Sequence, residues 1–123
     1  MSTPRLRIRF YPNDDASEVK DFLNKLYRDP QRRAASLRLE ADIRVLAHFW
    51  PDTMNVTIRM MGGWEPLREL KRRCGPISSR IFFAVLGSDL WLLSAFEKQS
   101  KGTPSRELRK AYDRLRILQR EAA

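Results

Sequence analysis

Residues 80–96 read RIFFAVLGSDLWLLSAF, and this stretch decides the fold. After Arg80 the run Ile81 to Leu86 is continuously apolar and rich in β-branched and aromatic side chains, as expected of a central strand covered on both faces. Gly87-Ser88 supplies a tight turn, and Leu90 to Phe96 returns as a second apolar run, so the pair reads as a β-hairpin.

Outward from the hairpin, the periodicity assigns the remaining elements. Upstream, Met54, Val56, Ile58 and Met60 alternate with polar residues, and Gly62-Gly63 marks a turn before the segment from Trp64 to Arg73. Downstream, Thr103-Pro104 is a good N-cap and first-turn pair. It opens a helix with Leu108, Ala111, Tyr112, Leu115 and Leu118 on one face and Arg106, Arg109, Lys110, Arg114, Arg116 and Arg120 on the rest. At the start of the chain, Arg5, Arg7 and Arg9 alternate with Leu6, Ile8 and Phe10, the pattern of a strand with one buried face. Asp15 and Glu18 have capping-box spacing ahead of a helix carrying Val19, Phe22, Leu23 and Leu26. Pro30 restarts the chain into a second helix with the stripe Ala35, Leu39, Ile43, Leu46 and Trp50. A weaker stripe, Leu37, Ala41 and Val45, lies opposite, which predicts that this helix is sandwiched between the first helix and the sheet. The order is β-α-α-β-β-β-(β)-α. Grouped rather than alternating strands predict an α+β fold: an antiparallel sheet backed by two N-terminal helices, plus a C-terminal helix, in one domain over 1–123.

Charge gives the first functional constraint. The 123 residues carry 24 Lys and Arg against 15 Asp and Glu, a formal +9, with the larger excess after residue 60. An anionic partner is implied, the alternative being a solvated surface. Several classes are poorly supported. His48 is the single histidine, and no His, Cys or carboxylate cluster has metal-ligand spacing, so neither a metal nor another cofactor is expected. Cys74 sits among Lys71, Arg72 and Arg73 but has no base to complete a catalytic pair. There is no phosphate-cradling glycine loop, and the two early helices meet at a proline rather than in a helix-turn-helix. Most aromatics fall at core periodicities, Trp64 after the double glycine being the exception. One cysteine, strand-sized apolar runs and no signal-like leader predict a cytoplasmic protein with no membrane association.

Four short motifs between Leu67 and Tyr112 carry a resemblance. Leu67-Arg-Glu69-Leu70-Lys71 looks like a Leu-x-Glu-Leu-Arg strand, and Arg80-Ile81-Phe82-Phe83 looks like a Tyr-Arg-Ile strand. Leu92-Leu93-Ser94-Ala95-Phe96-Glu97-Lys98 is similar to a Leu-Leu-x-x-Phe-x-Lys ending, and Thr103-Pro104 with Glu107 and Ala111 matches a Thr-Pro helix start. In these the chain resembles the HigB-like branch of the RelE superfamily of toxins, the branch often seen beside phage-derived toxin genes. It departs from the pattern at Lys71, Ser79, Gln99 and Gly102.

The resemblance implies the toxin of a type II toxin–antitoxin pair, an endoribonuclease that cuts mRNA on the ribosome. The implied antitoxin is a helix-turn-helix protein encoded alongside, with DNA reached only through that complex. Such cleavage needs no metal, because the 2′-OH beside the scissile phosphate is the nucleophile. On this reading Arg80 offers a guanidinium fork to the phosphate, Lys98 stabilises charge or donates a proton, Lys101 and Lys71 assist, and Glu69 is the candidate base. Arg68, Arg72, Arg73, Arg106, Arg109 and Lys110 are the candidate RNA-backbone contacts, although the last helix is equally a seat for the antitoxin. Each charge also has a structural reading, as a solvated group at a sheet edge or the partner of a neighbouring ion. The nuclease reading requires Arg80 and Lys98 to converge on one face, and it expects Arg80→Ala to abolish toxicity with little change in thermal stability. The alternative, favoured by Gln99 and Gly102, is a scaffold that has lost cleavage and binds RNA or a protein.

Overall fold

The computed structural model describes residues 4–99 and 104–122. The order is β1 (Arg7–Phe10), β2 (Pro12–Asn13), β3 (Ala16–Ser17), α1 (Glu18–Arg28), α2 (Arg33–Phe49), β4 (Thr57–Met60), β5 (Arg68–Cys74), β6 (Ile77–Leu86), β7 (Asp89–Glu97) and α3 (Ser105–Ala122). The fold is α+β, as the grouped strands predict. Five strands form one sheet in the order β1-β7-β6-β5-β4, and β2 and β3 make a separate two-stranded corner.

The sheet is mixed, which corrects the antiparallel expectation. β4 to β7 are antiparallel neighbours, but β1 lies parallel to β7, from Arg7 opposite Asp89 to Phe10 opposite Leu92. A strand separated from its sheet by helices cannot return through a tight turn, and the helical crossover makes a parallel pairing accessible. Period-2 alternation in β1 reveals a strand but says nothing of its direction.

Both faces are covered. On one, Val19, Leu23 and Leu26 of α1 and Leu39, Ile43 and Leu46 of α2 pack on Leu70, Ile81, Phe83, Leu90 and Leu92. On the other, Ala111, Leu115 and Leu118 of α3 pack on Leu67, Phe82, Ala84, Trp91 and Leu93. This explains the uninterrupted apolar runs of β6 and β7. The sandwiched position predicted for α2 is not observed: α1 and α2 lie side by side and each touches the sheet. Leu37 is 51% exposed, and Ala41 also faces outward. The cap of α1 also differs, since the Ser17 hydroxyl, rather than Asp15, accepts from the backbone N–H groups of Val19 and Lys20. Asn13 Oδ1 instead holds the preceding turn through the N–H groups of Asp15 and Ala16.

The hairpin of β6 and β7 carries one irregularity. The two strands pair in register from Leu86–Asp89 to Phe83–Leu92, then shift by one, so that Phe82 faces Ser94 and Arg80 faces Phe96. Leu93 is thereby left without a cross-strand partner, the signature of a β-bulge. Its carbonyl accepts a 2.6 Å hydrogen bond from Arg114 of α3, whose Nη1 also donates to Glu18 of α1 at 2.6 Å. Lys110 donates to the same Glu18 carboxylate. Glu18 therefore ties together helices that lie on opposite faces of the sheet.

Burial alone would raise the pKa of Glu18, but the hydrogen bonds and charges of Lys110 and Arg114 outweigh it and hold the group below its ordinary 4.5. A carboxylate depressed on folding contributes stability above its unfolded pKa, and that contribution is lost as the pH falls through the folded value. Glu18→Gln is therefore expected to lower the melting temperature at pH 7. The gap from the wild type should narrow as thermal melts are taken below about pH 4.

Candidate functional site

The part of the sheet that α3 leaves uncovered is built from the ends of β4, β5 and β6. Cross-strand pairing puts Lys71 opposite both Thr57 and Arg80, and Arg73 opposite Ser78. Directly opposed residues share a face, and alternation along β6 makes it the face of Phe82, against α3. Thr57, Lys71, Arg73, Ser78 and Arg80 line an open cavity of about 230 Å³. All five are polar or cationic because this half of the α3-side face carries no apolar partner, whereas Leu67, Phe82 and Ala84 further along are needed for the core.

Arg80 forms its floor. Its side chain is only 8% exposed, with Nη1 donating to the Ser78 hydroxyl at 2.7 Å and to the Ser79 carbonyl at 3.2 Å. Nε lies 3.7 Å from Glu69, which is 1% exposed and also lies 3.5 Å from Arg59. The guanidinium is thus held from within the chain rather than presented as an open fork. Burial pushes its pKa down, Glu69 opposes this, and the nearby Arg59 charge adds to the lowering. An arginine remains charged at neutral pH all the same, so the cavity floor is a desolvated cation whose field is weakly screened.

Lys98 follows the last residue of β7, Glu97, at the edge of this face and is not among the side chains that line the cavity. Its N–H donates to the Ser78 carbonyl at 2.7 Å, extending the ladder by one residue and setting Lys98 directly across from Ser78. The bulge decides this. Without the shift at Leu93, the tight turn at Gly87-Ser88 would pair Arg80 with Ala95 and send Phe96 and Lys98 to the α1 and α2 face. With it, Phe96 packs in the α3-side core and Lys98 follows by alternation.

The remaining predicted residues separate. Lys101 and the predicted cap Thr103 lie outside the described residues. Arg73 lines the cavity, with Nε donating to the Gly75 carbonyl. Arg68 and Arg72 are turned to the other face. Arg68 lies over the Trp50 ring, and Arg72 makes a two-pronged pair with Asp42, a buried residue of α2. On α3, Arg106 is exposed, Arg109 covers the Trp64 ring and Lys110 is paired with Glu18 and Glu107. Trp64 itself meets Tyr112 edge to face at 5.0 Å, so it is packed rather than a free stacking platform. His48 is tied to the Arg44 carbonyl. Among the described residues no three His, Cys, Asp or Glu side chains group closely enough to hold a metal ion, and no helix is long and apolar enough to cross a membrane.

Sequence reasoning missed Thr57, Arg59 and Ser78 at the cavity and Asp42 as the partner of Arg72. The first three follow only from the β4-β5-β6 register, which no local pattern encodes. Asp42 had a signal: a carboxylate between Ile43 and Leu39 on the buried stripe of a helix needs a cation.

Against known families, the model described as phage derived protein Gp49-like (DUF891) matches residues 21–116. That span runs from α1 through most of α3 and includes every cavity residue. No curated protein and no solved structure matches the chain.

The burial of Arg80 revises what its removal should do to stability. Arg80→Ala takes one guanidinium away from a carboxylate that is almost fully buried, so the expectation of an unchanged thermal transition is replaced by a loss of about 2 kcal/mol in urea unfolding. Lys71→Ala removes a half-buried charge at the cavity rim and should change stability by less than about 1 kcal/mol.

Proposed function

The chain belongs to the Gp49-like family of phage-derived proteins, which lies within the RelE/ParE-like toxins, and on that footing we propose that it is the toxin of a type II toxin–antitoxin pair. The finer reading is HigB-like: a ribosome-associated endoribonuclease with a RelE-like fold, acting in the cytoplasm on mRNA and neutralised by a helix-turn-helix antitoxin encoded next to it. The observation that carries this reading is that Lys71, Arg73 and Arg80 line one small polar cavity, with the backbone of Lys98 bonded to Ser78 at its edge. So many cations close together repel one another, and an anion between them relieves that cost. The cavity's size suits a single phosphate group with part of its ribose.

The residues divide the work of 2′-OH attack on the adjacent phosphate. Arg80 and Lys71 stabilise the charge that builds on the phosphoryl oxygens. Arg73 holds the neighbouring backbone phosphate, and Lys98 protonates the departing 5′-oxygen. Glu69 orients Arg80, and it accepts the 2′-OH proton once an incoming phosphate has drawn a guanidinium away from it. Lys101, which lies outside the described residues, is assigned a helping role from its sequence position alone. Arg106 and Arg109 of α3 extend the track along the RNA backbone.

A second reading has one observation of its own. Arg80 is already satisfied by Ser78, Ser79 and Glu69, which suits a scaffold that grips RNA without cutting it. Incubating purified protein with ribosomes and mRNA, then mapping the new 5′ ends, separates the two. The nuclease reading expects discrete cuts that leave a 2′,3′-cyclic phosphate or 3′-phosphate, the end that 2′-OH attack produces. It also expects Lys98→Ala to slow cutting by about 10²-fold while the melting temperature holds. Intact mRNA under tight ribosome binding would leave only the scaffold.

A further inference from the structure

Arg114 belongs to the helix whose early cations, Arg106, Arg109 and Lys110, read from sequence as contacts for nucleic acid. The structure gives it a different place. Its side chain is only 23% exposed, it lies over the Tyr11 ring at 5.5 Å, and Nη1 reaches both the Leu93 carbonyl and Glu18. Leu93 is the residue that the β7 bulge leaves unpaired across β6. A bulge disrupts the ladder locally, and a backbone carbonyl in so buried a strand needs a donor. A charged donor makes a shorter and stronger bond than a neutral one.

We propose that Arg114 is a positioning residue of the cationic cavity: by pinning the Leu93 carbonyl it fixes the bulge, and the bulge fixes the register that brings Lys98 across from Ser78. The competing register, paired regularly from the Gly87-Ser88 turn, slides the end of β7 by one residue and turns Lys98 to the opposite face. That register would also move Phe96 out of the α3-side core, so two observations depend on the same shift. Glu18 holds the Arg114 guanidinium in turn, which extends the control to the start of α1. The effect on cutting rests on the nuclease reading; the effect on register does not.

The experiment compares Arg114→Met with Arg120→Met, which removes one charge from an exposed position of the same helix. Two readouts are taken on the full chain: the cross-strand Hα–Hα contact between Ile81 and Ala95 by NMR, and RNA cleavage by the ribosome assay. Arg114→Met should weaken or lose the Ile81–Ala95 contact and cut about 10-fold more slowly through kcat, with KM little changed. Arg114→Lys, which keeps a charged donor, should restore most of both, and Arg120→Met should match the wild type. If Arg114→Met does not fold, Arg114→Gln is read in the same way. An intact Ile81–Ala95 contact in an Arg114 variant that folds would overturn the proposal, and so would cleavage no slower than in Arg120→Met. A wild-type protein that cuts no RNA would overturn the nuclease reading alone, and the NMR contact would still decide the role of Arg114.

Discussion

A single unpaired residue, Leu93, sets what the rest of the sheet can do. The β6–β7 hairpin begins in the regular register that its two-residue turn dictates and leaves it after Phe83, so that Leu93 is extra and every later residue of β7 changes face. Phe96 thereby enters the core against α3, Ala95 enters the core against α1 and α2, and Lys98 comes to lie opposite Ser78. A strand repeats every two residues, so a slip of one is never a small adjustment. The fold absorbs it because Arg114 bonds to the carbonyl at the slip and Glu18 holds Arg114.

The sheet divides its α3-side face between two tasks. Along Leu67, Phe82, Ala84, Trp91 and Leu93 that face is apolar and covered. Toward the open end it carries Glu69, Lys71, Arg73, Ser78 and Arg80, with Arg59 alongside. Packing does not require this arrangement, since a buried ion pair is seldom more stable than apolar residues of the same volume. Glu69 and Arg80 lie almost wholly out of water beside further cations, and burial works against the charged guanidinium. A desolvated charge at the base of a cavity is what electrostatic stabilisation of a phosphoryl group calls for. On the proposed nuclease reading, the cluster has a role that the core does not supply. Family membership points the same way at the level of a toxin.

Much of this was legible in the residues, and the exceptions have physical causes. The hairpin, the two N-terminal helices, the basic C-terminal helix and the α+β class follow from periodicity and turn chemistry, which are local. The direction of β1 is not local: Arg5 to Phe10 reads identically whether it pairs parallel or antiparallel. The weak stripe Leu37, Ala41 and Val45 predicted a second buried side for α2 because hydrophobicity was counted without asking which neighbours would cover it. At the candidate site, motif resemblance named Glu69, Lys71, Arg80 and Lys98, and the strand register sets them on one face of the sheet. The resemblance could not reveal that Arg72, one residue from Lys71, points to the opposite face and pairs with Asp42. Nor could it show that Arg80 would be buried. A basic residue at a strand start reads as exposed until the register of three strands is known, and the bulge that sets part of that register has no signature in Trp91-Leu92-Leu93-Ser94.

If one anion-binding face gathers residues from three strands, a bound RNA must be felt by all of them at once. The direct measurement is a titration of the isotope-labelled protein with a short single-stranded RNA whose 2′-hydroxyls are methylated, so that it binds without being cut, followed by NMR of the backbone amides. Lys71, Arg73, Ser78 and Lys98 should shift together along one saturable curve that weakens as salt rises. Shifts confined to α3, or a Lys98 that stays still while Lys71 moves, would contradict a shared face.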